Sequence, residues 1–146
     1  MPVQVPIKIR YAETDCMGIV YHANYLLYFE DARNAFLEAI GQSYDELEKA
    51  GYLSPVVSFT CKYGTPLRYG DTAIVSVRVA KTTAVKTTYA YEVYNDHQSI
   101  GVDKPCCTGQ SVHCLVEADT FNPVSMKQAA PELYAKYLEV CEPDQQ

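Results

Sequence analysis

The sequence predicts an α+β domain in which a mainly antiparallel sheet of five strands packs against a long helix. Apolar residues alternate with period two in five segments and recur with helical spacing in three others. Four strand-like segments follow one another after the first two helices, which favours an antiparallel sheet over a parallel one. The length of 146 residues suits one core, so we expect a single domain over residues 1–146.

The first third of the chain predicts one strand and two helices. Residues 3–9 alternate apolar and polar side chains, as in a half-buried strand. The run YLLYFEDARNAFLEAI is helical in spacing, with Asn24 expected as N-cap and Gly41 as the left-handed residue that ends it. Its apolar stripe is broad, so we expect a curved sheet to wrap around this helix. Ser43 and Glu46 have the spacing of a capping box that opens a short second helix.

The remaining chain predicts four strands and a last helix. The strand-like runs are VVSFTCKY, TAIVSVRVA, KTTYAYEVYN and CTGQSVHCLVEA, separated by turn-forming residues. Pro131 fits the first turn of a closing helix, PELYAKYLEV.

Composition excludes several classes of function. The net charge of −6 and pI of about 5.0 argue against a broad nucleic-acid surface, which needs clustered Lys and Arg. No apolar run reaches the ~20 residues of a membrane span, and the N-terminus lacks the pattern of a secretory signal, so we expect a cytoplasmic protein. The six cysteines include no C-x-x-C, so we expect reduced thiols and no metal site.

The segment ETDCMGIVYHANY, residues 13–25, places a carboxylate, Asp15, and a glycine, Gly18, just before the long helix. Taken alone, Asp15 could be a solvated loop residue, a helix cap, a metal ligand or a catalytic base. A helix N-terminus offers free N–H groups and the positive end of the helix dipole, which suit a developing oxyanion. Seven residues separate Asp15 from His22, and Gly18 allows the chain between them to turn.

The run RYAETDCMGIVYHANYLLYFEDAR, followed by TPLRYGDTAIVSVRV, resembles the 4-hydroxybenzoyl-CoA thioesterase family of hotdog-fold acyl-CoA hydrolases. Within it, the sequence is most similar to the short-chain branch associated with the Tol–Pal system. The resemblance spans residues 5–119, and its most specific part is D-x-x-G-[IV]-V-Y-H-x-x-Y, residues 15–25. It implies a hotdog fold and hydrolysis of short-chain or aromatic acyl-CoA without a dissociable cofactor or metal. It also implies a homodimer or homotetramer with sites at the subunit interface.

The resemblance also implies roles for individual residues. Asp15 corresponds to the catalytic carboxylate, either as a nucleophile on the thioester carbonyl or as a base for water. The backbone N–H of His22 corresponds to the group that polarises that carbonyl. Gly18 and Tyr21 shape the turn that joins the two. A thioester of acyl carrier protein is chemically as reasonable a substrate as acyl-CoA.

Other candidates are less specific. Glu30 is a possible second carboxylate, because a related hotdog branch carries its catalytic Glu on this helix; the alternatives are a Glu30–Arg33 ion pair or a contact across a dimer. Four cations near predicted strand ends are candidates for binding the CoA phosphates: Lys62, Arg68, Lys81 and Lys86. Three tyrosines are candidates for walls of the acyl pocket, with core packing as the alternative: Tyr25, Tyr28 and Tyr63.

Two rival functions remain open from the sequence. A hotdog enoyl-CoA hydratase is expected to carry a D-x-x-x-x-H pattern, whereas Asp15 and His22 are seven residues apart here. A non-catalytic module that binds acyl-CoA or protein could keep the same fold, because fold alone does not determine chemistry.

Overall fold

The computed structural model describes residues 2–143 as one sheet with helices on one face and a small separate ribbon. The strands are β1 (Val3–Lys8), β2 (Tyr52–Leu53), β3 (Val56–Tyr63), β4 (Thr72–Thr82), β5 (Lys86–Asn95), β6 (Cys107–Cys114) and β7 (Val116–Glu117). The helices are α1 (Asn24–Ala39), α2 (Tyr44–Lys49), α3 (Met126–Ala129) and α4 (Pro131–Val140). The predicted order of helices and strands is confirmed. The two-residue pair β2–β7 and the single turn α3 were not predicted.

The main sheet has the strand order β1–β4–β5–β6–β3, and all four of its pairings are antiparallel. The predicted five-stranded antiparallel sheet is therefore confirmed. β1 and β3 form its two edges within the protomer. β3 and β4 are consecutive in sequence yet lie three positions apart in the sheet, and the chain between them, residues 64–71, crosses the end of the sheet beside the loop that contains Asp15.

Helix α1 packs along one face of the sheet through an aromatic stripe. Seven of its residues are buried: Tyr25, Tyr28, Phe29, Ala32, Arg33, Phe36 and Leu37. The ring of Phe29 stacks on that of Tyr91 in β5 with centroids 4.3 Å apart, and Phe36 meets Tyr89 edge-on at 5.8 Å. These contacts confirm that the broad stripe predicted from the sequence is the face covered by the sheet.

The ends of the helices follow the predictions with one exception. Gly41 adopts a left-handed φ of 78° after α1, and the Ser43 hydroxyl accepts a hydrogen bond from the N–H of Glu46 as the N-cap of α2. The expectation that Asn24 caps α1 is wrong. Ala23 precedes the helix already in a helical conformation, so the side chain of Asn24 is free to donate to the carbonyl of Glu13 at 2.8 Å.

None of the helices within residues 2–143 is long and apolar enough to cross a membrane. The longest of them, α1, has 16 residues.

Gly109 sets the distance between α1 and the sheet. A Cβ at this position in β6 would lie 2.6 Å from the Phe29 ring and 2.6 Å from the carbonyl oxygen of Thr60. Neither neighbour has room to retreat, because Phe29 is fully buried and Thr60 belongs to the paired backbone of β3. A side chain here would push α1 away from the sheet or disrupt the β3–β6 pairing.

We therefore expect Gly109→Ala to lower the free energy of unfolding by about 1–3 kcal/mol through overpacking. The measurement is urea unfolding followed by far-UV circular dichroism. Gln110→Ala is the matched control, since Gln110 is the next residue of the same strand and is exposed. Equal stability of the two variants would contradict the tight contact at Gly109.

Candidate functional site

Asp15 lies in a tight loop closed by backbone hydrogen bonds. Thr14 and Val20 form an antiparallel bridge, and the N–H of Asp15 donates to the carbonyl of Ile19 at 2.9 Å. Gly18, with a φ of 76°, makes the reversal that most other residues would resist. The carboxylate of Asp15 is half-buried, and its Oδ1 accepts a hydrogen bond from the N–H of Met17 at 2.9 Å. That bond fixes the side chain, and within residues 2–143 no group donates to its other oxygen.

The chain then makes a turn at the mouth of α1, over residues 21–24, which we call the helix-mouth turn. The N–H of Asn24 donates to the carbonyl of Tyr21 at 2.9 Å, so His22 and Ala23 occupy the centre of the turn. Among the described residues, nothing accepts a hydrogen bond from the backbone N–H of His22 or of Ala23. Two unpaired donors at the start of a helix form a site for an anion or a polarised carbonyl.

The carbonyl of Glu13 ties this turn to the Asp15 loop. It accepts from the N–H of Tyr21 at 2.9 Å and from the side-chain amide of Asn24 at 2.8 Å. Behind the loop, the N–H of Val20 donates to the carbonyl of Leu67 at 2.8 Å, which anchors it to the crossing segment between β3 and β4. Four of the predicted site residues, Asp15, Gly18, Tyr21 and His22, therefore lie in one hydrogen-bonded unit.

The three candidate tyrosines have different positions. Tyr25 and Tyr28 are buried in the core beneath the helix-mouth turn. Tyr63 is 48% exposed at the end of β3, and its hydroxyl donates to the carbonyl of His22 at 3.0 Å. Its ring also meets that of Tyr25 edge-on, with centroids 5.5 Å apart. The structure thus brings Tyr63 to the helix-mouth turn as a hydrogen-bond donor, an interaction that the sequence did not predict.

The candidate cations divide into two groups. The guanidinium of Arg68 lies beside the Asp15 loop, with Nη1 3.9 Å from where a Cβ of Gly18 would be, and Lys62 is exposed next to Tyr63. Lys81 and Lys86 lie at the other end of the sheet. Lys86 faces Cys114 of β6 whereas Tyr63 faces Cys107, seven residues or about 23 Å along the strand.

Glu30 pairs with Arg33, the alternative that the sequence left open. Oε1 of Glu30 lies 2.6 Å from Nη2 of Arg33, and the guanidinium, whose residue is only 5% exposed, lies beneath the ring of Tyr44. Nη1 of Arg33 also contacts Nδ1 of His113, whose Nε2 is 2.7 Å from the hydroxyl of Ser111. Glu30 thus already holds a buried cation in place, and its role as a second catalytic carboxylate stays a prediction.

The sequence did not predict the buried contact between Arg33 and His113, although the position of Arg33 in α1 indicated that it is buried. Arg33 lies four residues after Phe29 and three before Phe36, on the face of α1 that packs on the sheet. His113 shares the inward face of β6 with Ser111. Burial first, and the Arg33 charge second, lower the pKa of His113 to about 3. His113 is therefore neutral near pH 7 and accepts a hydrogen bond from Arg33.

The six free thiols differ in exposure: Cys16 is exposed, three are partly buried and two are buried. Cys106 and Cys107 are buried, and burial raises the pKa of Cys107 to about 12. In the described part of the chain no group of three or more His, Cys, Asp or Glu side chains is placed to hold a metal ion.

The profile of the thioesterase-like superfamily matches residues 9–136, nearly the whole chain. The chain belongs to the thioesterase-like superfamily. The matched range contains the Asp15 loop, the helix-mouth turn and four of the five strands of the main sheet, and β1 lies just before it. Membership, together with relatives that are named as acyl-CoA thioesterases, supports an enzyme that hydrolyses thioesters.

Individual relatives agree with this assignment. YneP of Bacillus subtilis (strain 168), provisionally named an acyl-CoA thioesterase, is 40% identical over 131 residues, covering 90% of this chain and 91% of YneP. The acyl-CoA thioester hydrolase YbgC of Escherichia coli O157:H7 is 24% identical over 95 residues, covering 65% and 71%. The crystal structure of a DHNA-CoA thioesterase from Staphylococcus aureus superposes with a TM-score of 0.88 and 31% identity over 94% of this chain and 89% of that one. The hotdog fold predicted from the sequence is thereby confirmed.

The low pKa of His113 predicts that the free energy of unfolding depends on pH. A histidine that is neutral when folded binds a proton on unfolding below its ordinary pKa of about 6.5, so the folded state loses stability as the pH falls. Between pH 7 and pH 5 we expect His113 to contribute a loss of about 2 kcal/mol in the free energy of unfolding.

Urea unfolding at pH 7, 6 and 5 measures this slope. His113→Gln, which keeps an acceptor for Arg33 but cannot titrate, should flatten it. His97→Gln, which removes an exposed histidine in the turn after β5, should leave the slope of the wild type intact. A slope unchanged in His113→Gln would show that the buried histidine is not its source.

Proposed function

We propose that the protein hydrolyses acyl-CoA thioesters, with Asp15 as the catalytic carboxylate and the helix-mouth turn as the oxyanion site. The observation that supports this most is the pair of unpaired N–H groups of His22 and Ala23, held by the same hydrogen-bonded unit as Asp15. One preorganised donor to a developing oxyanion contributes on the order of 10²–10³ in rate.

The proposed substrate site lies between the two parts of this unit. The N–H of Asp15 donates to the carbonyl of Ile19, and His22 follows Ile19 by three residues. No direct contact joins the carboxylate to the two donors within residues 2–143. A thioester group between them can therefore present its carbon to Asp15 and its oxygen to the N–H groups.

Asp15 can act in either of two ways. As a nucleophile, a carboxylate oxygen bonds to the carbonyl carbon, the C–S bond breaks, CoA leaves as the thiolate, and water then hydrolyses the acyl–aspartate anhydride. As a base, Asp15 takes a proton from a water molecule that attacks the same carbon, after which the C–S bond breaks and CoA leaves as the thiol with that proton. Both routes place negative charge on the carbonyl oxygen, where the N–H groups of His22 and Ala23 stabilise it.

We assign the substrate class from the relatives, which are named for acyl-CoA and DHNA-CoA thioesters. Short-chain and aromatic acyl groups are the proposed substrates, in line with the resemblance to the 4-hydroxybenzoyl-CoA thioesterase branch and its Tol–Pal-associated group. Acyl carrier protein stays a candidate carrier. Arg68, whose guanidinium lies beside the Asp15 loop, and Lys62, the residue before Tyr63 in β3, are the proposed phosphate contacts. Lys81 and Lys86 could reach such a site only on another copy of the chain.

We also propose that the protein is a homodimer that pairs through β3. This strand has eight residues at the edge of the sheet, and Val56 and Val57 on it are 43% and 47% exposed. A long edge strand with exposed apolar residues needs a partner to avoid uncontrolled aggregation. β3 also carries Tyr63 to the helix-mouth turn, so pairing at this edge would place a second copy next to the site.

Free-CoA release from acetyl-, butyryl-, hexanoyl-, palmitoyl- and benzoyl-CoA tests the proposed activity. We expect Asp15→Asn to lower turnover by more than about a hundredfold, because amide nitrogen and oxygen neither attack the thioester nor accept a proton from water. Asp96→Asn, which removes an exposed carboxylate in the turn after β5, should keep full activity. The six protein thiols require a blank without substrate.

Other outcomes would favour a rival function. A wild type that binds acyl-CoA and releases no CoA supports the non-catalytic module. Conversion of crotonyl-CoA into a hydrated thioester with its thiol still masked supports the hydratase. Full activity of Asp15→Asn would exclude Asp15 as the catalytic carboxylate.

For the dimer, multi-angle light scattering should give twice the chain mass of 16.3 kDa. Val57→Lys adds a charge near the start of β3, within the proposed interface, and should give the monomer mass. Val102→Lys is the matched control, because Val102 is an exposed valine in the loop between β5 and β6. A Val57→Lys variant with unchanged mass would place the interface elsewhere.

A further inference from the structure

Within residues 2–143, Tyr63 is the one side chain from the sheet that donates a hydrogen bond to the helix-mouth turn. Its hydroxyl lies 3.0 Å from the carbonyl oxygen of His22, forty-one residues earlier in the chain. We propose that Tyr63 is a positioning residue, which holds the peptide between His22 and Ala23 so that the two free N–H groups stay directed at the substrate. This inference rests on the proposed function, since it assigns a role in the same thioester hydrolysis.

The trans peptide between His22 and Ala23 links the direction of its N–H to the direction of its carbonyl. The carbonyl of His22 and the N–H of Ala23 belong to one planar unit, and in a trans peptide they point in opposite directions. The described residues contain no cis peptide bond. A hydroxyl that fixes the carbonyl on one side therefore fixes the direction of the Ala23 N–H on the other. It also restricts the rotation that would tilt the neighbouring N–H of His22.

The Tyr63 hydroxyl also polarises the amide between His22 and Ala23. A donor on the carbonyl oxygen draws charge along the amide, so the N–H at the other end becomes a stronger donor. The Tyr63 hydroxyl thus acts on the oxyanion through the backbone, without touching the substrate. Such an effect is worth more in the transition state, where the oxygen carries charge, than in the ground state, so it should appear in kcat.

Tyr63 can hold the turn because its own backbone is firmly anchored. Tyr63 faces Cys107 in the β3–β6 ladder, and the N–H of the following residue, Gly64, donates to the carbonyl of Cys106 at 2.8 Å. A Cβ on Gly64 would lie 2.7 Å from the carbonyl oxygen of Pro105, so the chain turns there in close contact with its neighbour. The ring packs edge-on against the buried Tyr25. The sheet therefore holds Tyr63 in place, and the hydrogen bond from its hydroxyl holds the helix-mouth turn.

The same bond argues against Tyr63 as a simple wall of the acyl pocket. A pocket wall contributes its ring, and a phenylalanine would serve as well. A positioning residue contributes its hydroxyl, which phenylalanine lacks. The single substitution Tyr63→Phe keeps the ring contact with Tyr25 and removes only the bond to His22, so it separates the two roles.

The test measures kcat and KM for CoA release by Tyr63→Phe and by the control Tyr134→Phe, which removes a hydroxyl from α4. We expect Tyr63→Phe to lower kcat about tenfold while KM changes less than twofold and the melting temperature stays within about 2 °C. Tyr134→Phe should match the wild type in all three. Unchanged kcat and KM would make Tyr63 a pocket wall and overturn the proposal. A raised KM with unchanged kcat would mean that the hydroxyl contributes only to substrate binding, and it would overturn the proposal as well.

A second measurement observes the hydrogen bond itself. In protein labelled with ¹⁵N-alanine, the amide signal of Ala23, identified by its loss in Ala23→Gly, should move upfield in Tyr63→Phe as the polarisation is removed. The signal should not move in Tyr134→Phe. An Ala23 signal that does not move in Tyr63→Phe overturns the proposal. A wild type that releases no CoA overturns the proposed function and this role with it, whereas an active wild type with a fully active Tyr63→Phe overturns the role of Tyr63 alone.

Discussion

The site depends on the two hydrogen bonds that the backbone carbonyl of Glu13 accepts. It accepts one hydrogen bond from the N–H of Tyr21 and another from the side chain of Asn24. The first closes the ribbon that carries Asp15, and the second attaches that ribbon to the first turn of α1. Without this shared acceptor, the carboxylate and the two free N–H groups would sit on separately moving segments. A site that needs both within reach of one thioester carbon depends on that connection.

The position of α1 is in turn set by the sheet. Gly109 in β6 has no side chain, so the Phe29 ring can pack closely against the strand. The ring of Tyr91 in β5 stacks on Phe29. Since the helix-mouth turn is continuous with α1, a shift of the helix would move the two N–H groups with it. Core packing and the geometry of the proposed oxyanion site are therefore coupled, because the free energy gained by burying the aromatic stripe also holds the two N–H groups in position.

The sequence predicted the elements well because their signals are local. The runs VVSFTCKY, KTTYAYEVYN and PELYAKYLEV coincide with β3, β5 and α4, since period-two or helical spacing and a turn-forming residue or proline specify each one. The capping role of Asn24 failed for a local reason as well. Asn is a common N-cap residue, but here the residue before Asn24 is already helical, and the side-chain amide of Asn24 donates to the carbonyl of Glu13.

The site was predictable only in part. Asp15, Gly18, Tyr21 and His22 lie within eight residues, so the motif alone brings them together. The bond from Tyr63 to His22 and the contact between Arg33 and His113 join residues 41 and 80 positions apart, and such contacts are decided by strand order. A charged residue on the apolar face of α1 was a sign of the second contact, but nothing near His113 in sequence identifies Arg33 as its partner.

The order of the strands gives β3 two tasks in one segment. It is an edge of the sheet, with its outer backbone groups available to another chain, and its last residue carries the hydroxyl that holds the helix-mouth turn. An isolated edge strand frays more readily than a strand paired on both sides, because half of its backbone hydrogen bonds are to water. Whatever pairs with β3 therefore reduces the motion of Tyr63 and, through the carbonyl of His22, of the two N–H groups. In this fold, the proposed assembly at the β3 edge would also stabilise the geometry of the proposed oxyanion site.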